Sequence, residues 1–343
     1  MKRGSFAIPA AILAACLAFA ASDSGPYKVL KTAKVGGAGG FDYVNADAAG
    51  RKLYVARSGP EARITVFNLD TLEPAGEIPG VSAHGAVVSD KTHHGFASSK
   101  PVTMFDSKTL AVIKKIDVEG NPDGLMYDSF NDRVYVLSHR APNATVINAA
   151  DGAIVGTIDL GGAPEQAASD GKGHIYVDIE DKANIAVVDA KTLAVTGHYD
   201  LEGKGAVCAG LAIDARHNIL FAACRNPHNM VILDASNGKI LDALPIGEGT
   251  DGAVFNPKTS EAFSSQFDGT LTVVKENSPT SFAVEETVQT TRSAKTLTLD
   301  EKTNHILLIA AEFGPPPATP PPGGRGGRGA MVPDSFSILM VGK

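Results

Sequence analysis

The chain has 343 residues, with 43% apolar, 20% charged and 6% aromatic residues and no tryptophan. That is enough apolar material for a core, and 36 glycines with 20 prolines favour many turns and short strands over long helices. The formal charge is −7; without Lys2 and Arg3, 29 basic residues face 38 acidic ones, a net of −9 that repels phosphate backbones and argues against nucleic acid as a partner.

The first element in chain order does not belong to a folded domain. Lys2 and Arg3 precede an apolar stretch from Phe6 to Ala21, and polar sequence begins at Ser22-Asp23-Ser24. The stretch is too short and wrongly flanked to span a bilayer, and reads as a secretory signal over residues 1–21. Two processing readings stay open. Ala18-Phe19-Ala20 is an A-x-A site that would release a soluble protein, the favoured reading. Leu13-Ala14-Ala15-Cys16 resembles a bacterial lipobox that would leave a lipid anchor on Cys16. The expected location is periplasmic or secreted, with a membrane-tethered lipoprotein as the alternative. Residues 22–343 are expected to form a single domain.

The next element, "YKVLKTAKVGG" at 27–37, alternates like a strand. From there a pattern returns: "GRKLYVAR" at 50–57, "HHGFASS" at 93–99, "NDRVYVLS" at 131–138, "GHIYVDI" at 173–179, "HNILFAA" at 217–223, "SEAFSSQ" at 260–266 and "NHILLIA" at 304–310. An apolar pair and a polar turn follow the first six copies, as in "VFNLDTLE" and "VVDAKTLA". The residues before the turn, Phe67, Phe105, Ile147, Val188, Leu233 and Val274, are spaced by 38, 42, 41, 45 and 41. Such periods indicate stacked units of four strands, A to D. The last unit has only three strands, and residues 27–37 supply the strand D it lacks. The expectation is an all-β, seven-bladed β-propeller, its ring closed by an N-terminal strand that completes the last blade. "EFGPPPATPPPGGRGGRGAMVPDS", 312–335, interrupts blade seven and reads as a mobile Pro/Gly-rich loop over 314–334.

The "YV" strand, the "V-I/V-D-x-x-T" turn and the period resemble the YVTN repeats of the YncE-like seven-bladed propeller family. The resemblance covers residues 27–343 and implies the fold. It implies no common chemistry, because the repeat residues are structural.

In a propeller the D-to-A connections and B-to-C loops share one face, so the first residues of each strand A ring the channel mouth. Here these are Asp42, His84, Asp123, Glu165, Ala209, Asp251 and Lys295. Outside them fall the ends of strand B: Arg57, Lys100, Arg140, Glu180, Arg225, Gln266 and Glu312, with His139 and His228 nearby. The inner set carries net −3 and the outer set net +2, so the face is read as nearly balanced. One reading pairs inner carboxylates with outer cations in a structural network. The other lets Asp42, Asp123, Glu165 and Asp251 recruit Ca²⁺ or Mg²⁺, while His84, Lys295, Arg57, Arg140 and Arg225 orient an anionic substrate. No cofactor is required by the first.

Cys208 and Cys224 face each other across the strand A–B hairpin of blade five, so a disulfide is a candidate beside two free core cysteines. No G-x-S-x-G, H-E-x-x-H, P-loop or C-x-x-C-H motif occurs, and "KVGGAGGFD" at 34–42 has no following helix to make it a dinucleotide fingerprint. His93-His94 reads as a solvated turn, and His174, His217 and His305 fall in A–B hairpin turns that need no catalytic role. The functional expectation is an extracytoplasmic binding or scaffold module for an unidentified protein or small-molecule ligand, using the top face and channel mouth. The alternative is a cation-assisted lactonase- or lyase-like enzyme at the same mouth.

Overall fold

A computed structural model describes Met1, residues 25–315 and residues 329–343. The signal segment, Cys16 and the centre of the Pro/Gly-rich insert lie outside the described residues.

Alternating apolar residues separated by tight Asx and Gly turns produce 28 strands, β1 to β28 in chain order, and no helix among the described residues. They form seven four-stranded antiparallel sheets. Blade 1 runs β2 (Gly40–Asp47), β3 (Lys52–Ser58), β4 (Arg63–Asn68) and β5 (Pro74–Pro79). Blades 2 to 6 repeat that order, and their innermost strands are β6 (Ala83–Val88), β10 (Pro122–Asp128), β14 (Pro164–Ser169), β18 (Cys208–Asp214) and β22 (Thr250–Asn256). Blade 7 combines β26 (Thr296–Asp300), β27 (His305–Ala310) and β28 (Ser337–Gly342) with β1 (Lys28–Lys34). β1 pairs antiparallel with β28 from Lys28↔Gly342 to Lys34↔Ser337, so the two ends of the ring share one sheet.

The core is a set of apolar seams between successive blades. One packs Tyr176, Leu201, Leu211, Leu220 and Val231 between blades 4 and 5; another joins Leu53, Val55 and Phe67 of blade 1 to Leu307, Ile309 and Ile338 of blade 7. The repeat residues have visible tasks. The Tyr54 hydroxyl donates to the Ser107 carbonyl of the next blade, and Tyr176 does the same to Ala235. The Asp of the turn closes it: Asp106 Oδ1 accepts from Lys108 N, Thr109 N and Thr109 Oγ1, and Asp189 Oδ1 from the matching groups of Lys191 and Thr192.

The described ends of the insert pair with each other. Phe313 bridges Met331, Gly314 N donates to Ala330 O at 2.8 Å, and Val332 N donates to Glu312 O at 2.8 Å. Residues 316–328 are the part outside the described residues.

Candidate functional site

Six of the seven innermost strands carry a β-bulge near their start. The pairing skips between Phe41/Val44, Ala83/Ala86, Pro122/Leu125, Pro164/Ala167, Cys208/Gly210 and Thr250/Ala253. The residues released from the ladder include Asp42, His84, Asp123, Glu165, Ala209 and Asp251. A bulge re-aims side chains, and here it gathers the polar ones at one end of the axis. Lys295 occupies the corresponding place just before β26.

The released groups join into a circuit. Lys295 Nζ lies 3.4 Å from Asp42 Oδ1 and also bonds Asp251. Asp42 Oδ2 is 2.9 Å from His84 Nδ1, which is 3.2 Å from Asp123 Oδ1. Asp123 Oδ2 is 3.4 Å from His139 Nε2, which is 3.6 Å from Glu165 Oε1. On the other side Arg225 holds Asp251, and its second nitrogen donates to Glu180 Oε1 at 3.0 Å. The circuit breaks only in blade 4, where Glu165 and Glu180 repel each other.

Below the mouth the axis is crossed by side chains. The Tyr43 hydroxyl of blade 1 reaches Glu165 Oε2 of blade 4 at 3.3 Å. Gln166 Oε1 accepts from Leu211 N at 3.0 Å and Ala253 N at 3.1 Å, and its amide donates to Ala253 O. The channel holds a cavity of about 380 Å³ lined by Tyr43, Glu165, Gln166, Asp251, Leu297 and Asp47. Close approach dictates glycine around them: a Cβ on Gly85 would meet Tyr43 Cβ at 2.9 Å, and one on Gly124 the Glu165 carbonyl at 2.7 Å.

Burial sets the proton affinities. Glu165 is pushed up to about 8 by desolvation, reinforced by the charges of Glu180 and Asp123. Asp123 is raised by desolvation and by Asp42 against the pull of His84 and His139. Desolvation works to raise Asp42 too, but the His84 hydrogen bond and Lys295 override it and hold it below the usual range. His84 is raised, chiefly by its bond to Asp42.

Not every expected residue meets the mouth. Arg57 is only 1% exposed; its guanidinium donates to the carbonyls of Gly36, Gly37, Ala38 and Gly39 and lies 3.8 Å over the Phe336 ring. The glycine-rich loop thus withdraws Arg57 from any ligand, and burial pushes its guanidinium down to about 10. Lys100 is tied to the Gly120 carbonyl, Gln266 is buried on Ser264, Thr270 and Thr272, and Arg140 is exposed at the rim with no side-chain partner among the described residues. Glu312 and His228 are exposed. Five acidic groups (Asp42, Asp123, Glu165, Glu180 and Asp251) share the mouth with three permanent cations, Lys295, Arg225 and Arg140, and two imidazoles, and Glu165, pushed up to about 8, keeps its proton at neutral pH.

Asp178 of β15 (His174–Ile179) is a further buried acid, absent from the set expected on sequence grounds. It is 1% exposed, lies opposite the Glu165–Gln166 bulge, and neither carboxylate oxygen has a hydrogen-bond partner among the described residues. Desolvation raises it well above the usual carboxylate range. A charged residue inside an otherwise apolar "YV" strand was the available sign. A second unexpected cluster lies on the opposite face, where His217 Nδ1 sits 2.8 Å from Asp214 and 2.6 Å from Glu276 of the next blade. Cys208 and Cys224 pair directly across β18 and β19 (Ile219–Arg225), and their sulfurs are bonded.

No family model and no curated protein matches the chain. Solved structures do match: a chain in the crystal structure of a mitotic checkpoint complex superposes with a TM-score of 0.72 over 99% of this chain and 98% of that one, at 9% identity. At that identity the likeness shows the fold alone. Fold and likeness together define the class, a seven-bladed β-propeller with a charged channel mouth. With 1672 solved chains matching, that class does not fix a function.

Proposed function

We propose that this is an exported binding module of the YncE-like kind, which holds a small polar or cationic ligand, or a cationic side chain of a partner, at the channel mouth. The observation that carries the reading is the circuit from Lys295 through Asp42, His84, Asp123 and His139 to Glu165, set by bulges above a channel that Tyr43 and Gln166 cross. Preorganised carboxylates such as Asp42, held below the usual range, favour a ligand group that brings positive charge or hydrogen-bond donors. The bonded Cys208–Cys224 pair and the leader-like N-terminus support export.

A second reading is favoured by one observation. Glu165, pushed up to about 8, sits 3.6 Å from His139, an arrangement suited to proton transfer in a lactonase- or lyase-like reaction. One screen separates the two. Chelator-treated protein is melted with amines, amino acids, polyols and lactones, and each stabilising compound is assayed for turnover. Stabilisation without turnover, lost in Asp42→Asn, supports the binding module. Turnover lost in Glu165→Gln supports the enzyme, and stabilisation unaffected by either substitution removes the mouth from both readings.

A further inference from the structure

We propose that the arc Asp42–His84–Asp123–His139–Glu165 is a site for two divalent transition-metal ions that share Asp123. The proposal deepens the reading of the mouth as the binding surface and rests on it. Asp123 divides its oxygens: Oδ1 belongs to a trio with Asp42 and His84, and Oδ2 to a trio with His139 and Glu165. Within each trio all donor atoms lie within 4.8 Å of one another.

Three features point to ions in these two places. The first is geometric. Around a metal with bonds of about 2.0–2.2 Å, neighbouring tetrahedral or octahedral ligands stand roughly 2.8–3.6 Å apart. The four nitrogen–oxygen separations in the arc, 2.9, 3.2, 3.4 and 3.6 Å, all fall in that range. The second lies at the two ring nitrogens. A ring nitrogen carries at most one hydrogen, yet His84 Nδ1 and His139 Nε2 each face two carboxylates. His139 Nε2 is buried without a hydrogen-bond partner among the described residues. The third is Asp178, whose two partnerless oxygens are buried opposite the Glu165–Gln166 bulge, at the Glu165 end of the arc. A cation in each trio would accept the ring nitrogen's lone pair and both carboxylates at once.

The donor set selects the ion. Ca²⁺ takes six to eight oxygens and Mg²⁺ keeps its waters, whereas imidazole with carboxylate suits Zn²⁺, Co²⁺, Ni²⁺ or Fe²⁺. This departs from the Ca²⁺ or Mg²⁺ expected from four carboxylates alone. Asp251 drops out because Arg225 and Lys295 already hold it.

The test uses the full chain, stripped with chelator and titrated separately with ZnCl₂, CoCl₂, CaCl₂ and MgCl₂, with stoichiometry read by native mass spectrometry and calorimetry. Two Zn²⁺ per chain are expected, Co²⁺ should develop visible d–d absorption, and Ca²⁺ and Mg²⁺ should bind at least 100-fold more weakly. Asp123→Asn should weaken both ions at least 100-fold, while His84→Ala and His139→Ala should each remove one. Those two side chains are 48% and 32% exposed, so these variants carry the test if Asp123→Asn does not fold. His217→Ala, in the third trio of close donors, whose 2.6 Å His217–Glu276 contact is shorter than the spacing of ligands on one ion, should change nothing. No binding, a single ion in the parent protein, binding indifferent to Asp123→Asn, or binding abolished by His217→Ala would each overturn the proposal. An organic ligand found on the metal-free protein would leave the binding-module reading standing even then.

Discussion

Tyr43 of blade 1 extends across the propeller axis to blade 4, where its hydroxyl lies 3.3 Å from Glu165 Oε2 and 3.4 Å from the Glu165 carbonyl. The contact ties the floor of the mouth to its least balanced carboxylate, and it explains the small residues nearby. A Cβ on Gly124 would stand 2.7 Å from the Glu165 carbonyl, which is backbone and cannot swing aside. Gly124→Ala should therefore cost about 1–3 kcal/mol as overpacking, measured by urea unfolding. Gly197, where an added Cβ would meet nothing within 4 Å, is the control and should tolerate alanine.

The Glu165 proton gives a pH signature with a definite sign. Its folded-state affinity is about 8, against an ordinary glutamate value of 4.5. The folded protein thus keeps a proton that the unfolded chain gives up, so this contribution is complete below about pH 4.5 and is lost as pH rises through 8. Glu165→Gln removes the dependence. Urea midpoints measured from pH 5 to 9 should show the variant gaining on the parent protein as pH rises, by an amount on the order of a few kcal/mol, with the gap flat above 8. Parallel curves would contradict the assignment.

The seam that closes the ring carries its own ion pair. Arg51 of blade 1 donates to both oxygens of Asp300 in blade 7, at 2.8 and 2.7 Å, and the Asp300 side chain is 2% exposed. Burial works to raise Asp300, but Arg51, Thr303 and the Lys302 amide override it and hold it at about 2. That stabilisation is present above the ordinary carboxylate range and is lost as pH falls towards 2. Arg51→Ala should cost about 2–3 kcal/mol at neutral pH and less at pH 3, read from denaturant curves.

The Cys208–Cys224 bond closes a loop with a sequence separation of 16 inside blade 5. Chain entropy assigns a loop of that size about 3 kcal/mol. Cys208→Ser/Cys224→Ser should unfold at lower denaturant by that order, and a reducing agent should move the parent protein to the same midpoint while leaving the variant unchanged.

The ring is legible in the sequence because its cause is local. Each blade repeats one alternation and one Asx turn, and the N-terminal strand carries the strand D pattern that the last blade lacks. The mouth is half legible. Polar residues at the start of strand A stand out among small ones, and the bulges gather them. Arg57 is the misplaced one: "GGAGG" looks like a plain turn, yet its carbonyls capture the guanidinium. Tyr43 and Gln166 show only in a comparison between blades. The equivalent residues are Gly85, Gly124, Gly210, Gly252 and Thr296, so two large side chains there must fill the axis. The Asp214–His217–Glu276 cluster has no such sign, since it forms between blades 5 and 6 from residues that each look ordinary in their own repeat.

Everything functional above depends on ligands entering by the bulged end of the channel. Hydrogen exchange of the full chain, with and without the strongest stabilising compound from the screen, tests that directly. Protection is expected at the amides of 41–44, 83–86, 122–125 and 164–167, with the turns at 89–93, 129–132 and 214–217 unchanged. Protection at those turns, with the four bulges exchanging as before, would place the ligand on the opposite face and contradict it.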